Sequence, residues 1–180
     1  CGRANLGGIV YIPQAQNYSG TVTVGASGVL QVGTNAALST GDNNIYLMGG
    51  DLRLDLADGD YGQTDTQYAS RNLVVVGGNG IIRTTPLSGG GYNTAQLNNI
   101  DLYDASRVLT VLTVGTIFNN LVVNNITLNN NTAGVIDQYL DVGGDNSFQA
   151  GIGVLTVNGV ISQTGLDAVN LQKRQGGVLI

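Results

Sequence analysis

All twelve acidic residues of this chain are Asp; none is Glu, and Lys173 is the one lysine. Glu and Lys are the residues from which solvent-facing helices are ordinarily built, because their straight side chains lose little freedom there. A chain without them has almost nothing from which to make a helical surface. Gly (28 residues) and Asn (20 residues) stand in their place, and both favour turns and left-handed backbone positions. The sequence therefore predicts an all-β protein.

The apolar residues say how the strands are used. Short segments alternate apolar and polar side chains between Gly- and Asn-rich breaks: Thr21–Val24, Val29–Val32, Ile45–Leu47, Leu52–Leu56, Leu73–Val76, Gly80–Arg83, Ile100–Tyr103 and Val108–Val114. The pattern continues in Leu121–Val123, Ile126–Leu128, Tyr139–Val142, Val154–Val157 and Gly177–Ile180. In Leu52–Leu56 the three Leu residues share one side while Arg53 and Asp55 share the other. Successive strand residues point to opposite faces, so each segment reads as half-buried, with Arg53 and Asp55 outward. The predicted core includes Val22, Val24, Leu30, Val32, Leu52, Leu54, Leu155 and Val157.

Two all-β architectures accommodate such strands: a parallel β-solenoid and a β-sandwich. The breaks are mostly not the two-residue turns that close antiparallel hairpins, which favours the solenoid. So do the clusters Asn119-Asn120, Asn124-Asn125 and Asn129-Asn130-Asn131. Buried amides need partners, and Asn side chains stacked on successive layers supply them to one another. The reading is a right-handed parallel β-helix (β-solenoid) over residues 1–180 as a single segment, with a β-sandwich as the alternative.

A specific motif adds to this. Asn17-Tyr18-Ser19-Gly20-Thr21-Val22-Thr23-Val24, followed by Gly28-Val29-Leu30-Gln31-Val32 and Ala37-Leu38, resembles the autotransporter-associated β-strand repeat. That family's pattern runs N-x-Y-S/T-G-x-T-x-V, a Gly turn, G-x-L-x-V, then A-L-G. Gly41 to Leu54 resembles the strand pair that follows it, Leu155 to Ser162 resembles its L-x-L/V-x-G-V-I-S strand, and Lys173 with Gly176–Ile180 resembles its closing strand. The stretch from about Asp55 to Gly153 diverges. The resemblance implies a right-handed β-helix in the passenger region of a secreted bacterial surface protein: extracellular, structural or adhesive, one unit of a larger repetitive array or of a self-assembling filament.

The chemistry the sequence excludes is broad. With no His and no Glu, neither a Ser-His-Asp triad nor a His-based zinc site can be assembled within the chain. A net charge of −5 with scattered arginines argues against nucleic acid as a partner, since phosphate binding needs clustered cations. No run of eighteen apolar residues spans a membrane as a helix. Cys1 is the only thiol; it reads either as a lipid-bearing first residue or simply as the residue at which the sequence starts. Asp58 and Asp60, flanking Gly59, could offer oxygens to calcium, but a solvated Asp-Gly turn accounts for them.

Paired carboxylates held about 5–9.5 Å apart can cleave glycosidic bonds, and Asp101 with Asp104, or Asp51 with Asp55, are the conceivable pairs. A carbohydrate-active β-helix, lyase or glycosidase, is thus the alternative function. The expectation is nonetheless a non-enzymatic segment with no catalytic, metal or cofactor residues. Its expected partners are further copies or repeats at both end strands, Gly8–Ile12 and Gly176–Ile180, and a surface glycan on which tyrosines could stack.

Overall fold

A computed structural model describes residues 8–57, 63–85, 94–103, 106–113, 120–144 and 153–180. In chain order the strands are β1 (Ile9–Ile12), β2 (Val22–Gly25), β3 (Val29–Val32), β4 (Asn44–Met48), β5 (Asp51–Asp55), β6 (Thr64–Asp65), β7 (Asn72–Val75) and β8 (Gly80–Thr85). They continue with β9 (Thr94–Tyr103), β10 (Arg107–Thr113), β11 (Asn120–Asn130), β12 (Ile136–Gly144), β13 (Val154–Val157), β14 (Ile161–Gly165), β15 (Val169–Arg174) and β16 (Val178–Leu179). A short 3-10 turn at Asn35–Ala37 is the one helical element among the described residues.

The strands lie in two sheets. One has the order β1-β3-β5-β8-β10-β12-β15; the other runs β16-β13-β11-β9-β7-β4-β2, with β14 beside β11 and β6 beside β9. Every ladder between these strands is parallel. Parallel neighbours cannot be joined by a tight hairpin and need a crossover. Here the crossover from one strand to its neighbour is made by strand in the other sheet, so each pass of the chain adds to both.

The core follows from the alternation. In the nine-stranded sheet Val22, Ile45, Leu73, Ile100 and Ile126 are in register, as are Val24, Leu47, Val75, Leu102 and Leu128. In the other sheet Leu52, Ile82, Val111 and Val142 form a row. These side chains are buried and belong to one apolar cluster. Burial at this level is worth about 1.5–3 kcal/mol per large aliphatic side chain.

Glycine permits the tight approach of one pass to the next. A Cβ on Gly50 would lie 2.6 Å from the Val24 carbonyl oxygen and 2.8 Å from that of Gly25. The preceding Gly49 turns with φ +94°, a conformation that costs other residues strain.

Of the eight expected core residues, Val22, Val24, Val32, Leu52, Leu54 and Leu155 are buried; Leu30 and Val157 are half-buried against the same cluster. Thr21 and Thr23 are exposed, as expected. Asp55 is not: it is only 3% exposed. It lies on the outer side of β5, where Gln31 and Tyr11 from the two preceding passes close over it. Alternation assigns a side chain to a face but does not register what neighbouring strands lay across it.

The segments Leu121–Val123 and Ile126–Leu128 are two halves of one strand, β11, in which burial alternates up to Val123, shifts at Asn124-Asn125, and resumes at Ile126. β9 does the same at Asn98-Asn99. Before the shift β11 pairs with β13, and after it with β14; β9 pairs likewise with β6 and then β7. The two end strands lie in different sheets, β1 in the seven-stranded sheet and β16 in the other.

Candidate functional site

Of the carboxylates expected from sequence, Asp51 and Asp55 sit at the two ends of β5 and serve structure. Asp51 Oδ2 accepts from Arg83 Nε at 2.9 Å and from Arg53 Nη2 at 3.2 Å. Asp55 Oδ1 accepts from Gln31 Nε2 at 2.8 Å. Burial raises the Asp55 pKa, and the hydrogen bonds from Gln31 and Tyr11 pull it the other way. Asp58, Asp60, Asp104 and Cys1 lie outside the described residues.

Two polar assemblies hold the passes together. Asn72 Nδ2 donates to Asn44 Oδ1 at 2.9 Å, Asn98 to Asn72 at 2.9 Å, and Asn124 to Asn98 at 3.0 Å. Beside this ladder Asn125 donates to Asn99 at 3.0 Å. An amide can donate and accept at once, so a stack of Asn side chains satisfies itself. At Asn98-Asn99 and Asn124-Asn125 the ladder stands where the long strands shift phase. Of the expected clusters only Asn124-Asn125 joins it, whereas Asn120 bonds Thr94, Asn129 bonds Thr164, and Asn130 donates to the carbonyls of Gly134 and Ala168.

The second assembly centres on Arg71, 6% exposed. Its Nη1 donates to the carbonyls of Ser39 and Asp42 at 2.7 and 2.9 Å, and its Nη2 to that of Asn35 at 3.3 Å. Sequence reading saw only an isolated arginine here.

One surface feature has the shape of a binding site. On the outer side of the nine-stranded sheet Tyr46, Val74, Asp101 and Thr127 are in register on β4, β7, β9 and β11. Val74 and Val76 are short; Tyr46 on one side and Tyr103 on the other are long, with Asp101 across from Tyr46. The result is an open trough of about 320 Å³ lined by Asn44, Tyr46, Val74, Val76, Asp101 and Tyr103. Although Val74 points outward, it is only 6% exposed, as a trough floor should be.

Asp101 is a half-buried wall of this trough. Desolvation raises its pKa, against a hydrogen bond with Thr127. Tyr46 is positioned at the opposite wall by Asn44, whose Nδ2 donates to its hydroxyl at 3.3 Å. Asn44 in turn is the first rung of the ladder. The trough thus offers two phenol rings, an apolar floor, a carboxylate acceptor and an amide, all on strands fixed by the core. Asp101 was legible as a candidate carboxylate; its neighbours Tyr46 and Tyr103 emerge only once the strand register is known.

Among the described residues no group of three or more His, Cys, Asp or Glu is placed to hold a metal ion, and no helix is long and apolar enough to cross a membrane. Comparisons with protein families, with curated proteins and with solved structures find no match.

Proposed function

We propose that the two parallel sheets are walls of a right-handed parallel β-helix, a single segment over residues 1–180, acting as a structural and adhesive part of a secreted bacterial surface protein or extracellular filament. The observation that carries the reading is the register: successive passes place like side chains above like, in apolar rows inside and an Asn ladder at the strand bend. Passes stacked in this way add about 4.8 Å each along one axis, the spacing of hydrogen-bonded strands. Such an object gains length and stiffness without enlarging its cross-section. The right hand follows the general preference of parallel crossovers. The extracellular setting rests on the resemblance to the autotransporter-associated repeat.

Both end faces are part of the proposal. Ile9, Val10 and Tyr11 are 51%, 60% and 51% exposed, and Val178 and Ile180 are 42% and 68% exposed. Apolar edges with no further strand beside them among the described residues invite pairing, supplied in this reading by neighbouring passes of a longer chain or by a second copy. Catalysis has no part in it.

Small-angle scattering and electron microscopy test the reading together. A rod that lengthens with concentration, and stops doing so when Val10→Lys and Val178→Lys charge the two end faces, is the expected result. A compact particle of sandwich dimensions, unchanged by concentration, refutes it. One observation favours a second reading, a carbohydrate-active β-helix: Asp101 carries a raised pKa beside an open trough. Glycan turnover by the purified chain that disappears in Asp101→Asn would replace the structural reading with that one.

A further inference from the structure

We propose that the trough between Tyr46 and Tyr103 is a binding site for a neutral saccharide. The inference gives the adhesive role above a ligand and depends on that role only for its biological setting.

The chemistry of the walls selects the ligand class. A pyranose ring has an apolar face of C–H groups and a rim of hydroxyls. Tyr rings accept the apolar face and keep a polar tip for the rim. In the trough, Tyr46 on β4 and Tyr103 on β9 are separated by β7, whose Val74, with Val76 just past its end, supplies an apolar floor. Two strand spacings of about 4.8 Å separate β4 from β9. Asp101 stands directly across from Tyr46, and Tyr103 two residues further along β9, so the trough runs diagonally across the strands. The volume of about 320 Å³ matches one or two rings lying in an open groove, at the small end of ligand sites.

Asp101 and Asn44 add directional contacts. Asp101, half-buried on the wall, presents acceptor oxygens to sugar hydroxyls. Asn44 already receives Asn72 Nδ2 and donates to the Tyr46 hydroxyl, so it acts chiefly by fixing the Tyr46 ring.

The same charge decides between sugar types. Among the described residues Asp101 is the one carboxyl group lining the trough, and neither Lys nor Arg lines it. A carboxylated or sulfated sugar would bring its anion against that carboxylate, with no cation to offset the repulsion. A neutral chain is therefore favoured over an acidic one. Binding without cleavage is expected as well, since glycosidic hydrolysis ordinarily uses two carboxyl groups and the described residues lining the trough supply one.

The test uses the 180-residue chain against immobilised cello-, xylo-, manno- and chito-oligosaccharides, with oligogalacturonate and an acidic peptide as contrasts, read by array and then by titration calorimetry. The expected result is binding of at least one neutral series, weakened at least tenfold by Tyr103→Ala and several-fold by Asp101→Asn, with the oligosaccharide recovered intact. Melting curves accompany each variant. Should Tyr103→Ala melt early, Tyr103→Leu and Asp101→Asn carry the test.

Three results would overturn the proposal: no neutral oligosaccharide bound, binding unchanged in a folded Tyr46→Ala/Tyr103→Ala double variant, or binding of the acidic glycan or peptide alone. A rod that binds no sugar removes only this inference. A compact particle whose sugar binding maps to Tyr103 removes only the β-helix reading.

Discussion

The side-chain amide of Asn124 donates to the side-chain oxygen of Asn98 at 3.0 Å, between residues 26 positions apart in the chain. The same donation repeats from Asn98 to Asn72, again 26 positions apart, and from Asn72 to Asn44, 28 positions apart. Each interior amide is donor to one neighbour and acceptor for the next, which fixes where one pass stands relative to another.

Removing an interior rung should therefore be felt on both sides. Asn98→Ala leaves Asn72 Oδ1 with only the longer bond from Asn99, and Asn124 Nδ2 without a partner. The expected loss is about 1–3 kcal/mol by chemical denaturation, the usual cost of stranding a partly buried polar group. Asn43→Ala, at an exposed neighbour of the first rung, should stay within about 0.5 kcal/mol. Equal effects from the two would mean that the ladder carries no stability.

The apolar rows make a second test. Ile100 is fully buried between Leu73 and Ile126 of the adjoining strands. Ile100→Ala should destabilise by about 2–5 kcal/mol, since it leaves a cavity in a row closed above and below. Thr23→Ala, on the outer side of β2, should do little. If both variants melt alike, the assigned inner and outer faces are wrong.

These two cases mark what the sequence discloses. Leu52, Leu54 and Arg53 declare their faces because strand geometry has a period of two and needs no knowledge of neighbours. Asn124-Asn125 was legible as a stacking pair because a buried amide must find a partner, but its ladder partners Asn98, Asn72 and Asn44 were not, since they lie in other passes. The strand bends were not legible, since the phase shift at Asn124-Asn125 looks in sequence like two short strands, and the half of β9 before Asn98-Asn99 did not read as strand at all. The trough was beyond reach for a similar reason. Tyr46 meets Val74 and Asp101 through passes of unequal length, and a register that varies from pass to pass cannot be counted off from periodicity.

Arg71 illustrates the same limit and makes a third prediction. Its guanidinium gathers the carbonyls of Ser39, Asp42 and Asn35, some thirty positions back in the chain. Burial lowers its pKa, while the charge of Asp42 acts the other way. Arg71→Met removes a charged donor from three carbonyls and should cost about 3 kcal/mol or more, given about 1.5–3 kcal/mol for a hydrogen bond to a charged group. Arg71→Lys should recover only part of this, because an ammonium cannot reproduce the planar fork. Full recovery by Lys in thermal melts would show that charge alone matters at this site.

Asp55 gives the pH dependence. In an open chain its carboxyl titrates near 3.8, and in the fold burial raises it despite the hydrogen bonds from Gln31 and Tyr11. Over the interval between these two values the folded state keeps a proton that the unfolded chain has lost. Below 3.8 both states are protonated and Asp55 imposes no penalty. Above the raised folded value both are ionised, and the full cost of a buried carboxylate is present. Its contribution to stability therefore falls as the pH rises through that window. Asp101 acts in the same direction, again through desolvation. Asp55→Asn should thus be at least as stable as the parent at pH 7, with its side-chain oxygen still placed to accept from Gln31. Its melting temperature should change less between pH 3.5 and 7, and adding Asp101→Asn should flatten the curve further. A parent protein that gains stability over this range, together with an Asp55→Asn variant that melts earlier at pH 7, would mean that Gln31 and Tyr11 outweigh desolvation and hold Asp55 as an ion.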